Sequence, residues 1–532
     1  GYSTPEECEE SLQFNKSTED WIWVENPQDN VMEFSRGEMH SQSVHTDTTD
    51  YPYSTDYRDS TYSGYDTDSE VLSPTVTPPT SLGRGFKGQV RSPILSPEQL
   101  KKDISDVTRS KVYDANSDSD VFFSTWKKGR QRTDLEPVLE VIFSYLDDSS
   151  LRSAELVCKQ WLWCIEDSML WRKLIKQKVH RETVWKGFGK RRGWMDSLNT
   201  FSEEFDHKYF RALYLNTEKD IKNLESNWKT GKHQLTTVSC EAEYREGVYC
   251  LQSDEEQIVS GHRDNTVKIW DTKTLACKKM IKGHTGSVLC LQYEGNLLIT
   301  GSSDSTVRIW NLETGQEINK LMQHSDAVLT LRLQNSTLIT GSKDRSIIVW
   351  DVHSPNAASL RMKMEGHEKA VNVIDFDDKY IVSGSGDRTI KVWDSNTFNF
   401  IRNLAGHSRG VNCLQYRTPL VVSGSTDQTI MLWNVEQGTC LTVFKTYSEM
   451  LVRCLQFNDH YIVSGGHDGV IKVWNLKAAL HGRPEAELFI HSCKPHNNRI
   501  SHLSIDHFQI VSCSLDDTIC MLDFDEASFE VT

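Results

Sequence analysis

The sequence predicts a multidomain fold: a seven-bladed all-β propeller over residues 247–527, preceded by a small all-α unit and, at the N-terminus, by a disordered tail. The propeller is predicted by an Asp that recurs six residues before a Trp, with Leu522 in place of the seventh Trp. Successive Trp residues lie 40 to 43 positions apart, which is the spacing of propeller blades. They are Trp270, Trp310, Trp350, Trp393, Trp433 and Trp474.

Each repeat also contains alternating apolar runs that are typical of strands. The runs 287–292 and 297–301 are examples, and four such strands fit into one repeat. Because an open stack of blades would leave sheet edges unpaired, we expect seven blades to close into a ring. The segment from His233 to Arg245 is expected to supply the missing outer strand of the last blade.

Five repeats place a His 20 residues before the Asp, as in His284 and Asp304. Such pairs suggest catalysis or metal binding, but their repetition at fixed spacing favours a hydrogen bond inside each blade. If that bond forms, the loop with the His and the turn with the Asp lie at the same end of each blade. The residues that flank them then share one face of the ring. The sequence predicts no catalytic residue, no metal site and no cofactor.

Seven of these flanking positions are cationic. They are Arg263, Lys343, Arg345, Arg388, Arg409, Arg453 and Arg499. Positive charge gathered on an acidic protein favours an anionic ligand, and Arg favours bidentate contact with phosphate or carboxylate. The alternative is that each Arg pairs with a neighbouring Asp on a solvated surface. The formal net charge of −16 and the lack of a continuous basic stripe argue against nucleic acid as the ligand.

The first 130 residues differ from the rest in composition. They contain 23 Asp and Glu against 13 Lys and Arg, and 21 of the 40 residues from Ser41 to Thr80 are Ser, Thr or Tyr. Such a segment has too little apolar surface to offset the entropy of ordering, so residues 1–130 are predicted to be a disordered acidic tail. Lys127–Arg132 is either a nuclear signal or a solvated basic patch.

The cysteines and the hydropathy pattern indicate an intracellular protein. Thirteen cysteines are scattered without a CxxC pair, which favours reduced thiols in the cytoplasm and nucleus over disulfides. No run of eighteen apolar residues is present, so no membrane association is expected.

Residues 131–178 show a helical pattern. Apolar residues recur at spacings of three and four on either side of a polar turn at Asp147–Ser150. A unit of about 45 residues is small for an independent core, so part of this surface is expected to pack on a partner. A three-helix spacer explains the pattern equally well. Residues 179–246 are interpreted as a helical linker plus the strand that closes the ring.

Several motifs resemble a known family. Ile142–Asp147, Ala154–Trp161 and Met169–Ile175 resemble the F-box, the helical motif that binds the Skp adaptor of cullin-RING ubiquitin ligases. Arg191–Trp194 and Gly247–Gln252 are similar to the linker and first blade of the F-box/WD-repeat substrate receptors of the β-transducin repeat-containing group. This resemblance, over roughly residues 135–527, implies a non-catalytic receptor subunit made of an F-box, a helical linker and seven WD-repeat blades.

The resemblance implies which residues bind the adaptor and the cullin-RING ligase core. They are Leu135, Pro137, Ile142, Phe143, Leu146, Leu156, Val157, Trp161, Leu170 and Trp171. The Leu-Pro that usually opens an F-box is replaced by Arg130 and Gln131, although Leu135 and Pro137 partly substitute. The family's dimerisation segment is not recognisable, which leaves homodimerisation open.

The resemblance also identifies the anion as a doubly phosphorylated degron, Asp-pSer-Gly-hydrophobic-x-pSer, on β-catenin-like client proteins. The implied contacts are Tyr249, Arg263, Ser287, Ser303, Lys343, Arg345, Asn372, Arg388, Arg409, Gly410, Leu451, Arg453 and Arg499. The chain departs from the family at Thr426, where the family has Ser, and at His467, where it has Tyr. Thr446 and Tyr447 replace Gly-His, with one extra residue before Arg453.

Two functions stay open at this point. The first is a ubiquitin-ligase receptor, and the second is a ligase-independent scaffold that collects phosphoproteins. The tail segment Asp68–Ser73 approximates the degron, which suggests an intramolecular pseudosubstrate, with chance occurrence in a Ser-rich and Asp-rich tract as the simpler explanation.

Overall fold

The computed structural model describes residues 10–15, 20–25, 136–200, 205–240, 247–446 and 451–525. Within the predicted tail, β1 (Glu10–Asn15) and β2 (Asp20–Glu25) pair as an antiparallel hairpin that the sequence did not predict. Leu135, Tyr447, Lys127–Arg132 and Asp68–Ser73 lie outside the described residues. No helix in the described part is both long enough and apolar enough to span a membrane.

Helices form the region between the tail and the propeller. In chain order they are α1 (Glu136–Ser144), α2 (Asp148–Glu155), α3 (Lys159–Asp167), α4 (Leu170–Arg181), α5 (Thr183–Arg191) and α6 (His207–Thr230), with a short 3-10 turn at Asp196–Leu198 before α6. Asp147 caps α2 and Asp206 caps α6, because each side chain accepts a hydrogen bond from a backbone N–H of the first turn. Gly231 ends α6 in the left-handed conformation that glycine adopts without strain.

The rest of the chain is seven four-stranded antiparallel sheets, which confirms the predicted seven-bladed propeller. The strand β3 (Gln234–Ser239) comes first, followed by blade 1 with β4 (Val248–Ser253), β5 (Gln257–His262), β6 (Val267–Asp271) and β7 (Cys277–Ile281). Blades 2 and 3 hold β8 (Val288–Glu294), β9 (Leu297–Ser302), β10 (Val307–Asn311), β11 (Glu317–Leu321), β12 (Val328–Gln334), β13 (Thr337–Ser342), β14 (Ile347–Ser354) and β15 (Ala357–Met364).

Blades 4 to 7 repeat the same order. Blades 4 and 5 hold β16 (Val371–Phe376), β17 (Tyr380–Ser385), β18 (Ile390–Asp394), β19 (Phe400–Leu404), β20 (Val411–Arg417), β21 (Leu420–Ser425), β22 (Thr429–Asn434) and β23 (Thr439–Lys445). Blades 6 and 7 hold β24 (Val452–Phe457), β25 (Tyr461–Gly466), β26 (Ile471–Asn475), β27 (Phe489–Cys493), β28 (Ile500–Ile505), β29 (Gln509–Ser514) and β30 (Thr518–Asp523). A short helix α7 (Leu476–Leu480) and a 3-10 turn at Glu485–Glu487 lengthen the connection from β26 to β27.

The ring closes through β3. This strand precedes blade 1 in sequence but pairs antiparallel with β30, so it forms the outer strand of blade 7. The first strands of neighbouring blades contact each other around the whole ring, including β28 of blade 7 with β4 of blade 1. Closure gives every first strand a neighbour on both sides and leaves no inner sheet edge open.

The helices pack on one end of the propeller. Arg191 and Arg192 on α5 form ion pairs with Asp523 and Asp525, at 3.1 and 2.7 Å. Gly187 on the same helix lies against the Phe508 ring, at a distance where any Cβ would clash. Phe508 lies in the turn between β28 and β29, and Asp523 ends β30. The helices therefore cover the end of blade 7 at which its first strand finishes, and the opposite end, where first strands begin, faces away from them.

Candidate functional sites

A chain of three hydrogen bonds joins the loop, turn and strands of each regular blade. In blade 2, Trp310 Nε1 donates to Thr300 Oγ1 at 2.8 Å, and Thr300 Oγ1 lies 2.7 Å from His284 Nε2. His284 Nδ1 lies 2.9 Å from Asp304 Oδ2. Blades 3, 4 and 5 repeat this arrangement with His324, His367 and His407. The predicted structural role of the His and Asp pairs is confirmed, so the sequence was right to expect both at one end of each blade.

The blade aspartates stay ionised because they accept several hydrogen bonds. Burial raises the pKa of Asp304, but hydrogen bonds from His284 and Thr306 outweigh burial and hold that pKa well below the usual range for Asp. The same balance lowers the pKa of Asp344, Asp387 and Asp427. These carboxylates therefore hold the turns in place, and their charge is directed toward the blade interior.

A ring of backbone hydrogen bonds fixes the face that the helices leave uncovered. In every blade, the residue before the Asp donates its N–H to the carbonyl of the residue before the first strand, at 2.9 to 3.2 Å. The seven pairs are Arg263 to Gly247, Ser303 to Ser287, Lys343 to Ala327, Gly386 to Ala370, Thr426 to Gly410, His467 to Leu451 and Leu515 to Arg499. We call this end of the ring the substrate face.

All thirteen residues of the predicted degron site lie on the substrate face. Seven of them are in the backbone ring just described. Arg345 and Arg388 follow their Asp in left-handed turns, with φ of 73° and 74°. Tyr249, Asn372 and Arg453 occupy the bulge that interrupts the first strand of blades 1, 4 and 6. The carbonyl of Arg409 accepts a hydrogen bond from Ser425 Oγ at 3.2 Å.

The seven cations of this face are mostly exposed and mostly unpaired. All except the half-buried Arg499 are exposed. Lys343 Nζ lies 3.6 Å from Asp326, but within the described part of the chain Arg263, Arg345, Arg388, Arg409 and Arg453 have no carboxylate within 4.0 Å. We call these seven residues the cationic rim. The alternative that each Arg merely pairs with a neighbouring Asp does not hold for these five.

The sequence analysis missed a further cation on this face. Lys369 precedes β16 by two residues and is exposed. Its carbonyl accepts a hydrogen bond from Ser385 Oγ at 3.1 Å, as the carbonyl of Arg409 does from Ser425. The signal was present, since Lys369 follows His367 at the same distance as Arg409 follows His407.

A second candidate surface lies on the helices. Ile142, Leu156 and Val157 are 51%, 87% and 59% exposed, and Pro137 is also exposed. An open groove of about 370 Å³ beside them is lined in part by Leu146, Trp161 and Val157 itself. An apolar surface of this kind is typical of a protein interface.

Three predicted adaptor contacts are wrong, because their side chains are buried inside the helical unit. Phe143, Leu170 and Trp171 are at most 3% exposed, and they pack in the core that the helices share with blades 6 and 7. Trp171 Nε1 also donates to Glu155 at 2.7 Å. The exposed apolar residues that the sequence analysis did not select are Val138, Val141 and Tyr145. A spacing of three and four shows that a helix has an apolar stripe, and it leaves open whether that stripe faces the core or a partner.

Comparison with known families agrees with this division of the chain. The profile described as F-box-like matches residues 136–177, and the profile described as WD domain, G-beta repeat matches six segments. The six segments are 234–271, 275–311, 315–351, 358–394, 398–434 and 438–475. The chain combines an F-box-like domain with WD repeats. The first WD repeat begins at β3, so each repeat supplies the outer strand of one blade and three strands of the next.

Relatives with the same two domains match about a quarter of the chain. The F-box and WD repeat domain-containing 11-A of Danio rerio is 51% identical over 155 residues, which is 29% of this chain and 28% of that protein. The F-box/WD repeat-containing protein lin-23 of Caenorhabditis elegans is 46% identical over 174 residues, 28% of this chain and 26% of that protein. A probable E3 ubiquitin ligase complex SCF subunit sconB of Arthroderma otae is 30% identical over 149 residues, 25% of this chain and 21% of that protein. The chain thus spans less than a third of each of these relatives in the matched regions.

Proposed function

We propose that the protein is the substrate-recognition subunit of an SCF-type cullin-RING ubiquitin ligase. In this role the F-box-like domain binds the Skp adaptor, and the substrate face binds doubly phosphorylated Asp-Ser-Gly-x-x-Ser degrons on client proteins. The protein itself is non-catalytic, because its task is to hold the client while the ligase core transfers ubiquitin. The names of the relatives support the ligase assignment, and the cationic rim supports the phosphodegron.

The observation that carries the proposal is the unpaired charge of the rim. Five arginines without a carboxylate partner within the described residues converge on one face of a protein with net charge −16. A phosphoserine carries close to two negative charges and three acceptor oxygens, which match bidentate Arg donors. Arg388 and Arg345 are held in left-handed turns by the surrounding backbone, so little ordering is needed when a phosphate binds.

The arrangement of the two surfaces also fits a receptor. The substrate face is at the end of the ring where first strands begin, and the helices pack at the other end, on Phe508 and Asp523. A client bound to the rim therefore stays clear of an adaptor bound to the helices. The buried interface between α5 and blade 7 holds the two surfaces at a fixed separation.

The test is the affinity for a doubly phosphorylated degron peptide, measured by titration calorimetry. Arg263→Ala, Arg388→Ala and Arg409→Ala are each expected to weaken binding by about 10- to 100-fold, because each leaves phosphate charge without a donor. Arg417→Ala is the matched control, since Arg417 ends the first strand of the same blade on the opposite face. Unchanged affinity in all three rim variants, or equal binding of the unphosphorylated peptide, would reject the proposed degron site.

A pull-down with the Skp adaptor separates the receptor from a ligase-independent scaffold. The receptor is expected to retain the adaptor in stoichiometric amounts. A chain that binds phosphopeptide but no adaptor is a scaffold.

A further inference from the structure

Three buried side chains that commonly ligate transition metals meet where blade 7 joins blade 1. Cys240 follows the closing strand β3, Asp517 lies in the turn between β29 and β30, and His262 ends β5. One ligand atom from each lies within 4.8 Å of the other two. The three residues are 3%, 6% and 1% exposed, respectively, so the cluster is inside the protein.

The backbone and one side-chain contact hold these residues in place. The N–H of Cys240 donates to the carbonyl of Asp517 at 3.0 Å, which fixes the closing strand against the turn. Ser260 Oγ lies 2.8 Å from His262 Nε2. Metal-ligating histidines usually hydrogen-bond through their second ring nitrogen, and Ser260 orients this ring in that manner. Burial and the nearby Lys268 lower the pKa of His262, which keeps its imidazole neutral.

We propose that this cluster is a zinc site that ties the two ends of the ring together. Cys, His and Asp are the three ligand types that Zn²⁺ prefers, and a water completes the tetrahedron. Ligand atoms around a tetrahedral zinc lie about 3.3 to 3.8 Å apart, so the side chains need to move by about 1 Å. The spacing of 22 and 255 residues between the ligands explains why the sequence motif analysis predicted no metal site.

The position of the site suggests its role. Blade 1 starts the ring and has no loop from a preceding blade, so its first strand lacks the His that blades 2 to 5 take from such a loop. A zinc ion there would join β3, the β29–β30 turn and β5, which belong to opposite ends of the propeller sequence. Because an unfolded chain lacks this site, zinc binding would stabilise the closed ring.

One charge opposes the ion. Lys268 Nζ donates to the carbonyl of Cys240 at 3.0 Å and lies 4.0 Å from Asp264. Asp264 offsets part of the lysine charge, and thiolate plus carboxylate offset the charge of Zn²⁺. The site is therefore close to neutral when loaded, which is the condition for burying an ion.

The experiment is a Co²⁺ titration of the full chain in reducing, chelator-treated buffer, with Co²⁺ as the spectroscopic probe for zinc. We expect one ion per chain, the absorption of tetrahedral Co²⁺, a sulfur-to-cobalt charge-transfer band, and loss of both when Zn²⁺ is added. Zn²⁺ is also expected to raise the Tm of the propeller. Absence of the charge-transfer band in the unmodified protein would overturn the proposal without any variant.

Variants assign the ligands. Cys240→Ser is expected to abolish the charge-transfer band, and His262→Gln or Asp517→Asn to weaken Co²⁺ binding by more than about tenfold. The matched controls are Cys277→Ser and His353→Gln, both at exposed positions, which are expected to bind Co²⁺ unchanged. A full charge-transfer band in Cys240→Ser would show that the ion binds elsewhere and would reject the site.

Discussion

Trp228 stacks on Phe524 with ring centroids 4.1 Å apart and ring planes 17° from parallel. Its other contacts are a stacked Tyr461 ring at 5.0 Å and a hydrogen bond from Nε1 to the carbonyl of His507 at 2.9 Å. Trp228 is on the last turns of α6, Phe524 follows the last strand of the ring, and Tyr461 begins β25. One side chain therefore joins the helical unit to two blades of the propeller.

Trp228→Ala is expected to lower the free energy of unfolding by about 3 to 5 kcal/mol, because it removes a large buried ring and leaves a cavity. Trp228→Phe keeps part of the stacking but loses the hydrogen bond to His507, so a loss of about 1 kcal/mol beyond the smaller ring is expected. Urea unfolding measures both values. Tyr145→Ala, at a site that is 85% exposed, is the control with little expected change. A Trp228→Ala variant as stable as this control would show that the junction does not depend on the stacking.

Two blade serines form a matched pair for testing the hydrogen-bond chain. Ser383 in blade 4 contacts both His367 at 2.8 Å and Trp393 at 2.9 Å. Ser464 in blade 6 accepts a hydrogen bond from Trp474 at 3.0 Å, and blade 6 has Thr446 and Tyr447 where the family has Gly-His. Ser383→Ala leaves two buried partners without a hydrogen bond and is expected to cost about 2 to 4 kcal/mol, against about 1 to 2 for Ser464→Ala. Equal losses of unfolding free energy would contradict the contribution of the histidine.

The repeat was readable from the sequence because each blade contains the same hydrogen-bond chain at the same spacing. The positions of Asp304 and His284 alone predict that loop and turn share one end of blade 2, and a closed ring then places equivalent residues of all blades on one face. Arg263 and Arg499 belong to blades at opposite ends of the propeller sequence, yet they could be assigned to one face in this way.

Other features depend on packing that no local pattern contains. Phe143 and Ile142 are adjacent members of one helical stripe, but the first is buried by the helical core and the second is 51% exposed. Cys240 and His262 meet because β3 crosses to blade 7, so only the closed ring brings them together. Sequence periodicity predicts which residues are apolar or adjacent in a strand, and the tertiary arrangement decides what those residues contact.

The difference between exposed and buried apolar residues on the helices gives a test of the adaptor surface. Leu156→Glu and Val157→Glu change side chains that are 87% and 59% exposed, so we expect little change in stability and loss of binding to the Skp adaptor. Phe143→Ala is expected to destabilise the helical unit by about 3 to 5 kcal/mol, because Phe143 is 3% exposed. Adaptor pull-down and thermal unfolding distinguish the two effects. Full adaptor binding by Leu156→Glu would show that this surface is not the interface.

His496 in blade 7 gives the propeller a pH dependence. Burial lowers the pKa of this imidazole, but hydrogen bonding to Asp516 and Cys520 outweighs burial and raises the pKa to about 9. His496 is 1% exposed, and its two ring nitrogens lie 2.8 Å from Thr518 Oγ1 and Ser512 Oγ. Since this pKa is above the unfolded value of about 6.5, the stabilisation is fully present below pH 6.5 and is lost as pH rises through 9.

The free energy of unfolding is therefore expected to fall by up to about 3 kcal/mol between pH 6.5 and pH 9.5. Urea unfolding at a series of pH values measures the slope. His496→Gln removes the titrating group, and Asp516→Asn removes the carboxylate that raises its pKa, so both variants are expected to show a flatter profile. The decisive quantity is the difference in slope between the unmodified protein and His496→Gln, because other titrating groups cancel in it. Parallel profiles for these two proteins would show that His496 is neutral in the folded ring.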